Sequence, residues 1–424
     1  MRITTQLLVL PLLIVHPGRA VLSAPVDPVH TTARTSADTI PVTVRWNRLV
    51  PRLVDEAAAS RRAARRAATA AGDSAGLRRI AQSQPPFLFR VYTLLSVAQY
   101  GAANSPRNPD VSSDAAIASA SAAVLTTLFT DSTVRASIAR ELDQDLEKAR
   151  NGSRGAERAM AGKRMGEDVA RRVVAWAPPP PSLIGPWKGT IPTGPGMWYS
   201  APGIPPIGVL MAQARTWLLD SSSQFRPGPP LVYGSPAHQA ALEEVRRVAR
   251  DRTTEQTKLA QKWNDVDPWA PWNQTASDAI VRHHLSDADA ARVFAVLNAA
   301  SSDAVIACFE AKYHYWSIRP SQADTTIVLA DSVSLPNFPS YPSGHACSAG
   351  AFDAVLGHFF PKERTEFTRI AEEQAMSRLY GGIHYRFDDD AGLALGRVVA
   401  RNAVERERRG ALNAWRTARA EPKR

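Results

Sequence analysis

Three short clusters in the second half of the chain carry residue types that could handle an oxyanion: KYHYWSIRP, PSYPSGHA and SRLYGGIHYRFDD. The first holds Lys312 and Arg319, seven residues apart, a spacing of two helical turns that predicts two cations on one helix face. Pro320 should then stop the helix, because a residue before proline avoids the helical region. The second cluster places Ser343, Gly344 and His345 directly before the apolar run from Ala349 to Phe360, hence at a helix N-terminus. Free backbone N–H groups and the positive dipole end make that position an anion site, and Gly344 lets an oxyanion approach the backbone closely. The third gives Arg378 near the end of one helix, a Gly381-Gly382 break, then His384 and Asp388. These last two are four apart, so on a helix the carboxylate can lie beside the imidazole and fix its tautomer.

Each piece is weak alone, since a lone His is more often structural than catalytic and a Lys/Arg pair is usually surface. Together, three cations, a Ser-Gly at a helix start and two histidines have a purpose: a tetrahedral oxyanion needs its charge spread over several donors. At an effective dielectric near ~20, each cation at ~4 Å contributes about 4 kcal/mol against one unit charge. Three can hold a multiply charged anion.

The elements that must position these residues are read as helices. An apolar run from Leu7 to Val15 after Arg2, with small residues at Ala20 and Ala24, has the layout of a secretory signal peptide over 1–24. Residues 25–42 form an aperiodic, disordered leader. An N-terminal helical half over 43–176 is predicted from helices at about 43–71, 86–104, 113–129, 132–150 and 154–176. Residues 177–234 are rich in Pro, Gly and aromatics and read as a wrapping segment with a short helix at Met211 to Leu219. The C-terminal half, 235–416, opens on the cap Ser235-Pro236; its helices are placed at about 236–264, 274–284, 287–317, 344–360, 362–380 and 386–416. No β-period run is long enough to suggest a sheet, so the fold class is all-α.

The net charge of +11 is spread along helices with acidic residues interleaved, which argues for solvated faces and small anions as partners over nucleic acid. No later apolar stretch has membrane length, so the mature protein is expected to be secreted or periplasmic, without a span. The two cysteines, Cys308 and Cys347, exclude a disulfide scaffold; they are read as buried thiols, with a single bridge as the alternative. A homodimer is left open.

The residues also match a known pattern. Lys312, Arg319-Pro320, Pro342-Ser343-Gly344-His345, Ser377-Arg378, His384 and Asp388 resemble the signature of the vanadium haloperoxidase and phosphatidic acid phosphatase type 2 superfamily. FPSYPSGHA, SRLYGGIHYRFD and the Pro-rich middle look closer to its secreted haloperoxidases than to its lipid phosphatases. The resemblance implies two four-helix-bundle-like halves with the active site in the second. It implies vanadate as cofactor, with His384 binding the metal, Lys312, Arg319, Ser343, Gly344 and Arg378 binding the oxygens, and His345 as the acid–base group. The implied activity is oxidation of a halide by hydrogen peroxide. The alternative is a secreted acid phosphatase acting on a phosphoester, in which His384 attacks phosphorus to form a phosphohistidine and His345 protonates the leaving oxygen. Phe338 and Phe352 resemble Phe residues near the halide side of chloroperoxidases, where Phe309 stands in place of a Trp.

Overall fold

Side-chain caps and Pro/Gly punctuation set the helix limits. The computed structural model describes residues 40–76, 87–105, 108–177, 187–200 and 203–417; the signal and almost all of the leader expected from the sequence lie outside them. The N-terminal helices are α1 (Val42–Ala70), α2 (Leu88–Ala103), α3 (Ser113–Leu128), α4 (Ser132–Ala149) and α5 (Gly155–Trp176). Then follow α6 (Pro236–Asp251), α7 (Thr254–Asp265), α8 (Trp269–Arg282), α9 (Asp287–Tyr315), α10 (Gly344–Phe359), α11 (Arg364–Tyr380) and α12 (Arg386–Arg408). No β-strand occurs among the described residues, an isolated Met197–Ser317 bridge aside. Asp131 accepts from Thr133 and Val134 N–H to start α4, and Ser235 accepts from His238 N–H to start α6.

Four expected boundaries are corrected. The helix expected over 236–264 is two, because Thr253 and Gln256 form a reciprocal capping box that starts α7 afresh. The helix expected over 274–284 begins at Trp269, whose N–H is taken by Asp267. The one expected over 386–416 ends at Arg408, before Gly410 at φ 80°. The helix expected at Met211 to Leu219 shrinks to a single turn, Met211–Gln213. Its next N–H groups go elsewhere: Trp217, Leu218 and Leu219 donate at 2.8, 2.6 and 3.0 Å to the buried Asp303 carboxylate of α9.

Helices α2–α5 pack together, as do α9–α12, and α9 lies against both groups. Small residues allow the closest contact, between α10 and α12: a Cβ on Gly396 would stand 2.1 Å from the Cys347 carbonyl oxygen. Helix α9 is long and apolar enough to cross a membrane, but 83% of its most apolar stretch is buried inside the protein, as a core helix would be. The Pro-rich segment wraps the end of α9, through Trp198 N–H to Trp316 O (2.7 Å), Ile318 N–H to Gly196 O (2.9 Å) and Tyr315 Oη to Pro227 O (2.6 Å).

Candidate oxyanion site

All eight site residues named from the sequence lie where the second helix group ends, and several reach their place by a route the spacing did not suggest. Helix α9 stops at Tyr315, because Trp316 is left-handed at φ 51°. Arg319 therefore does not share a helix face with Lys312; it caps the one-turn helix Pro320–Ala323 and folds back. Lys312 Nζ donates to Pro339 O at 2.8 Å and Ser340 O at 2.7 Å, while Arg319 Nη1 donates to Ile383 O at 2.7 Å and its Nε to Phe338 O at 3.0 Å. Arg378, in the last turn of α11, donates from Nη2 to Ala260 O at 2.8 Å and from Nε to Ser377 Oγ at 3.0 Å.

All three cations are thus anchored by uncharged oxygens and form no direct ion pair, with the ionised Asp388 carboxylate offsetting part of the charge on Lys312 and Arg319. Burial pushes Lys312 down to about 8 and Arg319 and Arg378 each to about 10. Several kcal/mol of desolvation per buried ion is left for an anion to offset.

His384 precedes α12, and Asp388 sits in that helix's first turn, so their carboxylate–imidazole contact forms at a cap and not along a helix face. Asp388 Oδ2 accepts from His384 Nδ1 at 2.9 Å, from Tyr385 N–H at 3.1 Å and from Ser340 Oγ at 2.6 Å. Arg319 Nη1, which can only donate, lies 3.3 Å from His384 Nε2. Both neighbours select the same tautomer: Nδ1 carries the proton and Nε2 keeps its lone pair. Burial and the surrounding cations hold His384 well below the usual histidine range, so the ring is neutral. Burial pushes Asp388 up to about 6, which still leaves it ionised at neutral pH.

Ser343 is the N-cap residue of α10, as expected, but its side chain makes no capping bond. Arg319 Nη2 is buried without a partner, Ser343 Oγ lies near the buried Asp389 carboxylate, and a Cβ on Gly344 would meet nothing within 4 Å. A free donor beside open space at a helix N-terminus suits a tetrahedral oxyanion. Among the described residues no group of three or more His, Cys, Asp or Glu gathers as a bare cation would need. His345 follows in the same turn; burial and Arg378 push it down to about 3.

Two contributors were missed in the sequence. Asp389 is buried beside Asp388 and near the Ser343 hydroxyl, and burial pushes it well above the carboxylate range. Helix α7 supplies the Ala260 carbonyl to Arg378 and the Trp263 carbonyl to His345. An acidic run such as Asp388 to Asp390 reads as solvated, and main-chain acceptors leave no side-chain motif.

Of the aromatics, Phe338 lies over both Lys312 and Arg319 at 5.0 Å, with Phe309 packed on it at 5.3 Å. Phe352 instead stacks on Trp272 at 5.4 Å in the core, so the structure does not place it at the cations. Cys308 and Cys347 are free, buried thiols.

The all-α fold thus brings buried cations and a neutral histidine to the region of a helix N-terminus, an arrangement whose chemistry suits an oxyanion. Residues 282–407 match the PAP2 superfamily. The chain is 44% identical over 59 residues to a lipid A 1-phosphatase of Rhizobium etli, covering 14% of this chain and 25% of that protein. It is 32% identical over 101 residues to a vanadium-dependent bromoperoxidase of Ascophyllum nodosum, covering 17% of this chain and 18% of the other. The matches thus span a quarter or less of those relatives' own length. In three dimensions it resembles a bacterial vanadium-dependent iodoperoxidase, with a TM-score of 0.63, 24% identity, and coverage of 76% of this chain and 91% of the other. A bacterial vanadium-dependent chloroperoxidase in its apo form gives 0.62 at 13% identity, over 78% and 96%. At these identities the two structures establish a shared fold.

Proposed function

We propose that the protein is an exported, vanadate-dependent haloperoxidase-like enzyme that oxidises halide with hydrogen peroxide. The observation that carries this reading is enclosure: Lys312, Arg319 and Ser343 are 0% exposed, Arg378 1% and His384 2%. A site so enclosed admits a small oxyanion, a peroxide and a halide far more readily than a phosphoester with a bulky leaving group.

His384 Nε2, unprotonated and met only by the Arg319 guanidinium at 3.3 Å, would hold vanadium once that contact gives way. Lys312, Arg319, Arg378, Ser343 and the Gly344 backbone would bind the oxygens, with Asp388 fixing the His384 ring. Bound vanadate supplies a Lewis acid that polarises peroxide toward halide attack. His345 would take and return the proton of the reacting oxygen.

The second reading, a phosphatase with His384 Nε2 as nucleophile and His345 as general acid, is favoured by the local match to the lipid A 1-phosphatase. Incubating the purified protein with orthovanadate, peroxide and bromide, with p-nitrophenyl phosphate hydrolysis measured beside it, separates the two. Halogenation that needs vanadate, with little hydrolysis, is expected; hydrolysis that vanadate inhibits, without halogenation, would reverse the assignment.

A further inference from the structure

Helix α7 carries none of the three clusters, yet its Trp263 carbonyl lies 3.0 Å from His345 Nε2. A carbonyl only accepts, so Nε2 bears the proton and Nδ1 is the ring nitrogen with a lone pair to offer. The Trp263 side chain is fixed in turn. Its Nε1 donates to Glu373 Oε1 at 3.2 Å, and Lys262 Nζ donates to the same oxygen at 2.7 Å while lying 5.0 Å over the Trp263 ring. Arg369 Nη1 holds the other Glu373 oxygen at 3.2 Å. The next residue of α11, Gln374, donates to the His345 carbonyl at 2.8 Å and accepts from Trp272 Nε1 at 2.7 Å. The histidine is clamped at its ring and at its backbone, and both clamps run to adjacent residues of α11.

We infer that Trp263 and Glu373 are positioning residues for the acid–base step: Glu373 fixes the Trp263 indole, and the Trp263 carbonyl holds His345 with Nε2 protonated and Nδ1 as the exchanging nitrogen. This rests on the acid–base role given to His345 above. The proton that Nδ1 takes from an entering O–H is the one it returns to the departing oxygen, and Nε2–H stays on the Trp263 carbonyl throughout. That carbonyl belongs to the C-terminal end of α7, whose dipole favours the transient imidazolium.

The test uses the full-length protein with Trp263→Phe, which removes the indole N–H together with the ring that carries it, and Glu373→Gln. Turnover is read in whichever of the two assays the wild type answers, vanadate affinity by titration, and the His345 tautomer from ring ¹⁵N shifts. Each variant should lose about tenfold in turnover, as outer-shell partners usually do, with vanadate affinity unchanged. The double variant should be no slower than either single one. In a His345→Ala background neither substitution should slow turnover further. Wild-type turnover in both variants, a parallel loss of vanadate affinity, additivity in the His345→Ala background, or an Nδ1-protonated His345 in the wild type would each overturn the inference. A wild type inactive in both assays, but with the Nε2–H tautomer present and lost in the variants, would remove the functional reading and leave the positioning roles standing.

Discussion

The two site histidines differ in which nitrogen the protein leaves unprotonated. His384 has Nδ1 committed to Asp388 and Nε2 unprotonated beside Arg319; His345 has Nε2 committed to Trp263 and Nδ1 unprotonated. His384→Ala should therefore abolish vanadate binding, since no neighbouring nitrogen replaces Nε2. His345→Ala should leave the anion held by Lys312, Arg319, Arg378 and the α10 N-terminus while turnover falls by roughly a hundredfold or more. Vanadate titration and activity on both variants decide this; equal loss of binding in the two would break the division of roles. Lys312 adds a pH dependence. Burial holds it at about 8, below the ordinary lysine value, so the free protein carries this cation below that pH and loses it above. Vanadate affinity should fall above about pH 8, by up to about tenfold per pH unit. Lys312→Met should bind more weakly below that pH and lack this limb. Vanadate's own ionisation is common to both proteins and cancels in the comparison; a limb that persists in Lys312→Met would assign it to another group.

At the scale of elements, two glycines separate binding from packing. A Cβ on Gly344 meets nothing within 4 Å, whereas one on Gly396 would lie 2.1 Å from Cys347 O and 2.6 Å from Ala351 N, both backbone atoms that cannot yield cheaply. Gly344→Ala should keep the wild-type melting temperature and weaken vanadate binding, because the methyl enters the space left for an oxygen. Gly396→Ala should push α10 from α12 and lower stability by about 1 to 3 kcal/mol. Thermal melts beside vanadate titrations test both, and a large Tm loss in Gly344→Ala would mean that its surroundings are not open. The same helices show how far the sequence could be read. Caps such as Asp131 and Ser235 are local and were legible, as was the helix start at Ser343. The breaks at Thr253 and Gly410 were not, since helical periodicity runs through them and only a small capping preference opposes it. Lys312 and Arg319 both lie under Phe338 by a different route from the one expected: a left-handed Trp316 and a turn stand where a continuous helix face was predicted. Asp389 was hidden within an acidic run that sequence alone would place in solvent.

Across the molecule, the Pro-rich segment packs over the elements that carry the site without bonding to its cations or to His384. It covers the end of α9, where Ile207 N–H donates to Asn337 O at 3.0 Å, next to the Phe338 that lies over the cations. Its anchor stands further back along α9, at Asp303, the common acceptor for three consecutive N–H groups. Asn402 Nδ2 adds a bond to Leu218 O at 2.9 Å, tying the same turn to α12. Replacing Asp303 by Ala leaves those N–H groups without their acceptor in the interior, at about 1 to 3 kcal/mol for each that stays buried and unpaired. The cheaper response is for residues around 217–219 to leave the surface of α9 and find water. Asp303→Ala should therefore become sensitive to proteolysis within the Pro-rich segment before the helices melt, and Asp303→Asn, which keeps one acceptor oxygen, should be intermediate. Because Lys312, Arg319, Arg378 and His384 take their bonds from other elements, vanadate should still bind to the nicked protein. Cleavage mapped by mass spectrometry, with vanadate titration before and after nicking, tests the order of events. Loss of binding in the intact Asp303→Ala protein, before any cut, would show that the anchor supports the site directly and not through the segment it holds.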